Sequence, residues 1–415
     1  MYPLKQERWY KMPVVIIITI FTFVLGASRF LKLKLWMCLT AGAILIGLFF
    51  GMRPAAIVST FFKTSTDAKT IEILAILYGI AVFEYSLRMS GMLNRLIVNL
   101  KKVFRDDRLV LGMLPAFLGF LPSPGGALFS APLIEEASKN LKLSLEEKSF
   151  INFWFRHIWE TVFPLYPGLI LAAAMSKIPL YTLAWSMSPA VAANVLTGSV
   201  MVFSKKIIYK LGAEAPRETI KINFAIIFDL FTNLLPILII ICGALFFKIN
   251  MVALIIIAIT WTFVQTGSGA KELKKVLIDT LYSQNLMLII AIMGFSGILE
   301  DSGASRAIPE TFVQFNIPLF VIFMAMPFIL AVLTGINTAF VGLAFPILAG
   351  LSGGLTIKSV TLAYLSGMAG VMVSPVHLCL VLTLNYFKAN TLNFYKMLIF
   401  PAASLLILAA IIGGL

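Results

Sequence analysis

Cysteine, histidine and charge are all scarce in this sequence. Three cysteines (Cys38, Cys242, Cys379) and two histidines (His157, His377) are spread through 415 residues. The cysteines all fall inside apolar runs, and neither a CxxC motif nor a Cys/His pairing indicates a disulfide framework or a zinc site. Only 13% of the residues are charged, against about 25% in a soluble globular chain. No polar block is long enough to form a separate soluble domain. Nucleotide-driven chemistry by this chain is excluded as well. There is no GxxxxGK(S/T), and Gly267-Ser268-Gly269-Ala270-Lys271 is too short to be one. No HExxH, GxSxG or paired-carboxylate motif points to a membrane protease or hydrolase. The chain therefore reads as a non-enzyme that needs no cofactor.

What is abundant is apolar surface. Hydrophobic residues make up 60% of the chain and the mean hydropathy is +0.96, which identifies an all-α polytopic membrane protein. The formal charge of +14 does not imply nucleic acid, because Lys and Arg sit in short loops between apolar runs, as the positive-inside rule expects. Residues 1–30 resemble a signal peptide, with Lys5, Arg8 and Lys11 ahead of an apolar stretch. They have a counterpart in the second half of the chain, so they read as a first span instead.

Segments long enough to cross a bilayer occur in the first half at 13–30, 35–51 and 71–87. A basic amphipathic stretch (90–108) and a broken apolar run (109–137) follow, then 150–175 and 180–203, and a polar linker at 204–221. The second half repeats this order with 224–247, 251–265 and 283–299, a broken run at 319–351, then 359–384 and 395–415. Residues also match at a nearly constant offset. Phe83…Ser90-Gly91 falls on Phe295…Ser302-Gly303, Pro132-Leu133-Ile134 on Pro346-Ile347-Leu348, and Ser188-Pro189-Ala190 on Phe400-Pro401-Ala402. Each half thus has five spans and one hairpin that enters and leaves on the same side. An odd span count inverts the second half relative to the first. With the N-terminus outside, the inside loops collect 22 of the 33 basic residues. That asymmetry predicts ten spans, both termini outside, a first hairpin entering from the cytoplasm and a second entering from outside.

The chemistry is expected at the interruptions. Pro122, Ser123, Pro124, Gly125 and Gly126 break the first apolar run, and Gly335, Asn337 and Thr338 break the second at the equivalent place. Proline lacks a donor and clashes with the preceding turn, and a backbone break at membrane depth survives only in protein or beside a wet cavity. A half-helix that starts there points N–H groups and partial positive charge at an anion; one that ends there offers carbonyls to a cation. The span after each hairpin is interrupted too, by Arg156 to Gly168 in the first half and by Gly367 to His377, including Ser374 and Pro375, in the second. Glu160 would lie about 15 Å into its span, where a charge costs about 2.5–3.5 kcal/mol. Two readings of it stand: a proton or cation site, with Thr161 beside it, or an inert i,i+4 pair with Arg156. Arg156 could instead hold a substrate carboxylate. His157 and His377 flank the two breaks as proton carriers or as hydrogen-bonded packing residues. Glu84 reaches toward Arg88, and Asp229 with Asn233 forms a structural polar contact.

This order of spans, amphipathic stretch, hairpin and broken span, duplicated in inverted form, resembles the ion-transporter (IT) superfamily of carboxylate permeases. The Pro122–Ala127 tip, PSPGGA, is most similar to its ten-span branch, domain-of-unknown-function family 401. Asn337-Thr338 matches the last two positions of the Ser-Asn-Thr triplet of sodium-coupled dicarboxylate carriers, with Ile336 in place of Ser, and the first tip lacks Asn-Thr. The resemblance implies an elevator-type carrier. Residues 1–108 and 222–318 would form a scaffold that holds a homodimer. Residues 109–204 (hairpin 109–137) and 319–415 (hairpin 319–351) would move, with 205–221 as a cytoplasmic linker. The expected function is secondary active transport, across the inner cell membrane, of a small anionic organic solute coupled to H⁺ or Na⁺, with no resident metal apart from transient Na⁺. The alternative is an ion channel or a non-transporting membrane scaffold. The expected partners are the solute, the coupling ion, the bilayer and a second copy of the chain, and not nucleic acid.

Overall fold

The computed structural model describes residues 33–103, 107–121, 126–139, 141–203, 224–281, 284–305 and 317–414. The expected first span at 13–30, the linker at 204–221 and the tip residues Pro122, Ser123, Pro124 and Gly125 lie outside the described residues.

Among the described residues every regular element is an α-helix. The first half contains α1 (Leu35–Phe49), α2 (Pro54–Ser65), α3 (Ala68–Met89), α4 (Met92–Val103), α5 (Asp107–Leu118) and α6 (Ala127–Ala137). It continues with α7 (Leu145–Arg156), α8 (Pro167–Ser176), α9 (Leu180–Ser186) and α10 (Ser188–Phe203). The second half contains α11 (Phe224–Leu245), α12 (Met251–Thr266), α13 (Ala270–Leu281), α14 (Gln284–Asp301) and α15 (Leu319–Thr334). It ends with α16 (Asn337–Ser352), α17 (Ile357–Val373), α18 (Leu378–Phe387) and α19 (Thr391–Gly414). Among the described residues four segments, Ala68–Met89, Phe224–Leu245, Ile357–Phe387 and Thr391–Gly413, are long and apolar enough to cross a membrane. Several shorter apolar helices accompany them.

Local sequence explains where these helices start and stop. The Asp67 carboxylate accepts from Lys69 N at 3.0 Å and begins α3. Asn250 Oδ1 accepts from Val252 N at 2.8 Å and begins α12. Such caps are each worth about 1 kcal/mol. Capping boxes begin α7 (Ser144 with Glu147) and α17 (Thr356 with Ser359), which hold the same place in the two halves. The matched Ser-Gly pairs also build the same turn. Ser90 Oγ donates to Leu87 O and Ser302 Oγ to Leu299 O, each at 3.3 Å, and Gly91 and Gly303 follow in the left-handed conformation. A lysine in that conformation ends both α8 and α18, at Lys177 and Lys388.

The segmentation differs from the sequence expectation in two places. Helices α2 and α13, each 12 residues long, stand where the sequence predicts loops. They are shorter than the roughly 17 residues that mark a span and escape a search for long apolar runs. The stretches 150–175 and 359–384 are each two helices, as their expected interruptions require, because Pro164, Pro167 and Pro375 withhold backbone donors. The stretch 180–203 opens with the short α9, bent by 112° from α8.

Packing is reciprocal between the halves. Helix α14 lies on α1 and α2, while α3 lies on α12 and α13. In each half the first hairpin arm packs on the helix after the hairpin, α5 on α7 and α15 on α17. The second arms cross over: α16 packs on α8, and α6 on α18. The two breaks therefore face each other, each closed by the other half.

Candidate functional site

The first break runs from Arg156 to Pro167. Its backbone turns on itself, with Val162 N donating to Trp159 O at 3.0 Å and Tyr166 N to Phe163 O at 3.1 Å. The second runs from Val373 to Leu378, with His377 N donating to Ser374 O at 3.2 Å. Each hairpin presses the end of its first arm against one of these breaks. A Cβ at Gly119 would overlap the Arg156 carbonyl oxygen, and one at Gly335 would lie 2.8 Å from His377 N.

Helix ends leave backbone groups without intrahelical partners, and here the two kinds of end are treated differently. The carbonyl ends are closed by side chains. Arg156 donates to Leu118 O at 3.1 Å and Leu121 O at 3.3 Å, beyond α5. Trp159 Nε1 donates to Ala116 O at 2.9 Å and Tyr166 Oη to Gly119 O at 2.6 Å. In the other half Ser374 Oγ donates to Val332 O at 2.6 Å, and His377 Nδ1 lies 2.8 Å from Gly335 O. Among the described residues the amide ends are less closed: at α16 Asn337 Oδ1 accepts from Thr338 N, but no N-cap side chain contributes. The residues that precede α6, α8, α16 and α18, namely Gly126, Tyr166, Ile336 and His377, make no side-chain capping bond.

Arg156 thus uses its fork on backbone carbonyls, an arrangement that lysine, a single point charge, does not reproduce. Arg156→Lys is expected to lower the thermal unfolding midpoint in detergent, since one charge-assisted bond contributes about 1.5–3 kcal/mol. An unchanged midpoint would show that the capping contributes nothing.

Glu160 sits between these ends, 7% exposed. Its Oε2 accepts from Asn337 Nδ2 at 3.5 Å, its Oε1 lies 3.8 Å from His157 Nε2, and its carbonyl accepts from Tyr364 Oη at 3.2 Å. Asn337 in turn packs against Gly168, where a Cβ would lie 2.8 Å from Asn337 Cγ. Its Oδ1 accepts from Thr338 N at 2.8 Å. Glu160, Asn337, Thr338, Gly335, Ser374, His157, His377 and Arg156, separated by up to 221 positions in sequence, thus meet at the paired breaks. Thr161 is buried and lines one small cavity with His157. Among the described residues its Oγ1 has no hydrogen-bond partner, and it faces that cavity, of about 10 Å³, shared with Asn194 and Met372. Gly126 is buried at the start of α6. One turn before the first break, Asn152 Nδ2 joins Ala127 O (3.1 Å) to Thr383 Oγ1 (3.0 Å).

Cys379 joins the site without a signal in the local sequence. No Cys/His pairing is evident there, yet the ligand atoms of His157, His377 and Cys379 lie within 4.8 Å of one another. The available signal is the separation of two residues between His377 and Cys379, which falls outside familiar zinc spacings; His157 arrives from the other half. Tyr166, just before α8, and Tyr364, within α17, are two further residues of the site that carry no signal in the local sequence. The polar pairs outside the site are structural. Glu84 pairs with Arg88, and Asp229 Oδ1 accepts from Asn233 Nδ2 at 2.9 Å while its Oδ2 accepts from Asn99 Nδ2 at 2.5 Å.

A larger cavity, of about 480 Å³, lies between α3, α8, α9 and the α11–α12 turn. Lys69, Lys177 and Lys248 line it together with the carboxylate of Glu72. Lys248 Nζ stands 4.7 Å over the Tyr181 ring. Helix α8 leads from this cavity back to the first break.

The family model described as protein of unknown function (DUF401) matches residues 14–415. No curated protein matches the chain. Among solved structures, the chain is similar to the crystal structure of the YdaH transporter from Alcanivorax borkumensis, with a TM-score of 0.65 and 12% identity. The similarity covers 92% of this chain and 97% of that one. At this identity the likeness establishes a shared helical fold.

Proposed function

The chain belongs to the DUF401 family, and from that premise and the construction of its site we propose that it is a secondary active transporter. It carries a small anionic organic solute across the cell membrane, coupled to H⁺ or Na⁺, and is not an enzyme. The observation that carries this reading is the asymmetry of the helix ends. The carbonyl ends at the breaks are occupied by Arg156, Trp159, Tyr166, Ser374 and His377. The four amide ends are left uncapped by their own N-cap residues. Each carries roughly half a positive charge and favours an anion by about 0.3–1 kcal/mol, and up to about 2 kcal/mol when partly buried. The site therefore selects negative charge through backbone dipoles. The lysine-lined cavity adds attraction of the same sign.

Glu160 places a carboxylate among those amide ends, and it needs a cation beside it when an anion is present, since an isolated buried charge is costly. That requirement supplies the coupling: solute and cation enter together. The likeness of this chain to a transporter fold agrees with the reading.

We read the two halves as inverted repeats, each of five spans and one re-entrant hairpin, in the manner of the IT superfamily. Residues 1–108 and 222–318 would be the fixed, dimer-forming scaffold, and 109–204 and 319–415 the elevator. We read the topology as ten spans with both termini outside, and contacts agree with the grouping of loops by side. Groups that charge counting assigns to one side meet each other. Thr60 Oγ1 donates to Asp301 at 2.6 Å outside. Asn390 N donates to Glu146 at 3.0 Å and Tyr386 Oη to Glu135 at 2.7 Å inside.

Reconstitution into proteoliposomes tests the proposal. A thermal-shift panel of organic acids, with and without Na⁺, selects the solute, since a ligand stabilises the state it binds. Its uptake is expected to saturate and to require a proton or Na⁺ gradient. A linear, unsaturated ion current in its place would overturn carrier function in favour of a channel.

A further inference from the structure

The two histidines at the breaks hold each other in an arrangement that neutral imidazoles do not tolerate alone. His157 Nδ1 lies 2.5 Å from Phe153 O, and His377 Nδ1 lies 2.8 Å from Gly335 O. A carbonyl oxygen only accepts, so each Nδ1 carries its proton, and each Nε2 of a neutral ring presents a lone pair. Those two Nε2 atoms face each other at 3.2 Å. Two lone pairs at that separation require a proton or a metal ion between them.

Two further donors stand around the pair. Cys379 Sγ belongs to the cluster within 4.8 Å, and Cys379 is 8% exposed. Glu160 Oε1 lies 3.8 Å from His157 Nε2. Two imidazole nitrogens, a thiol and a carboxylate form the donor set of a tetrahedral site for a borderline-soft metal, whereas Ca²⁺ and Mg²⁺ take oxygen ligands. Zn²⁺ binds imidazole at about 2.0–2.1 Å and thiolate at about 2.3 Å, so two nitrogens of a tetrahedral site stand about 3.4 Å apart. The observed 3.2 Å already fits, and the sulfur and the carboxylate close in on the ion when it binds. The outer shell is in place as well, because both Nδ1–H groups are fixed on backbone carbonyls, which sets tautomer and ring orientation.

We infer that His157, His377 and Cys379, with Glu160 as fourth ligand, form a binding site for a divalent transition metal of the Zn²⁺ class. Binding forms two metal–nitrogen bonds, one metal–sulfur and one metal–oxygen bond, and releases the thiol proton of Cys379 to solvent. The ligands come from both breaks, so a bound ion ties the two halves together. The site stands on its own donor geometry and not on the transport reading.

Co²⁺, the spectroscopic stand-in for Zn²⁺, provides the test on the purified full-length protein. One equivalent per chain is expected to give tetrahedral d–d bands and a thiolate-to-cobalt charge-transfer band, both displaced by Zn²⁺. Cys379→Ser should abolish the charge-transfer band. It should also weaken Co²⁺ binding by more than the about 10–100-fold that follows loss of an outer-shell partner. The paired control Cys38→Ser/Cys242→Ser removes the other two thiols and should keep the band. If Cys379→Ser does not fold, His377→Gln serves in its place and should lose the d–d bands. Absence of any charge-transfer band in the native protein, or its persistence in Cys379→Ser, overturns the site. Neither readout involves uptake, so a protein that binds Co²⁺ as described and transports nothing refutes the transport proposal alone.

Discussion

Glu160→Gln is expected to uncouple solute movement from the ion gradient while leaving the protein folded. The amide keeps the size of the side chain, and its oxygen can still accept from Asn337 Nδ2, the contact now made at 3.5 Å. The Tyr364 bond to the Glu160 carbonyl is a backbone contact and survives. What disappears is the negative charge that, on the transport proposal, obliges a cation to accompany the anion. Coupling free energies between sites are typically 1–3 kcal/mol, or about 5–150-fold in affinity, and gradient-driven accumulation should fall by that order. Counterflow of solute between preloaded vesicles and medium needs no net ion movement and should continue. The two measurements separate coupling from binding. Loss of both would assign Glu160 to the solute itself, and an unchanged gradient dependence would remove it from the coupling machinery. Glu160→Asp keeps the charge on a shorter stem and should retain partial coupling.

The contrast between hairpin and site shows what the sequence makes legible. The breaks are readable because proline and glycine inside long apolar runs conflict with a continuous helix. Both hairpin interruptions and both broken spans fall within a few residues of the expected positions. The matched Ser-Gly pairs are readable because they build the same local turn, at Gly91 and Gly303. Individual partnerships are not. The sequence offers Arg156 a pairing with Glu160 or a solute carboxylate. What the sequence does not indicate is that the Arg156 guanidinium donates to Leu118 O and Leu121 O, because the carbonyl end of α5 arrives there through a fold contact with α7. The cluster of His157, His377 and Cys379 depends on the second arms crossing to the opposite half, and no local pattern encodes that crossing. Short helices such as α2 and α13 escape notice for a different reason, since a membrane-length criterion discards them.

Gly335→Ala is expected to be among the most damaging single-atom additions in the chain. Gly335 closes α15 with φ of 66°, and an alanine there bears a left-handed penalty of about 1–2 kcal/mol. The added Cβ would also lie 2.8 Å from His377 N, 2.9 Å from His377 Cα and 3.0 Å from the Val376 carbonyl carbon. All three are backbone atoms of the second break, so no side-chain rotation relieves the overlap, and such overpacking costs about 1–3 kcal/mol. Gly91→Ala separates the two effects. Gly91 has φ of 68°, and among the described residues nothing lies within 4 Å of where its added methyl would stand, so it bears the left-handed penalty alone. The unfolding midpoint of Gly335→Ala should therefore fall further than that of Gly91→Ala, and equal losses would show that hairpin and break are not in contact. The damage should also reach the histidine pair, because His377 Nδ1 is held by the carbonyl of Gly335 itself. Moving that carbonyl frees the ring that faces His157 across the two halves. The glycine that ends one half-helix thereby sets the geometry of the site that both halves share.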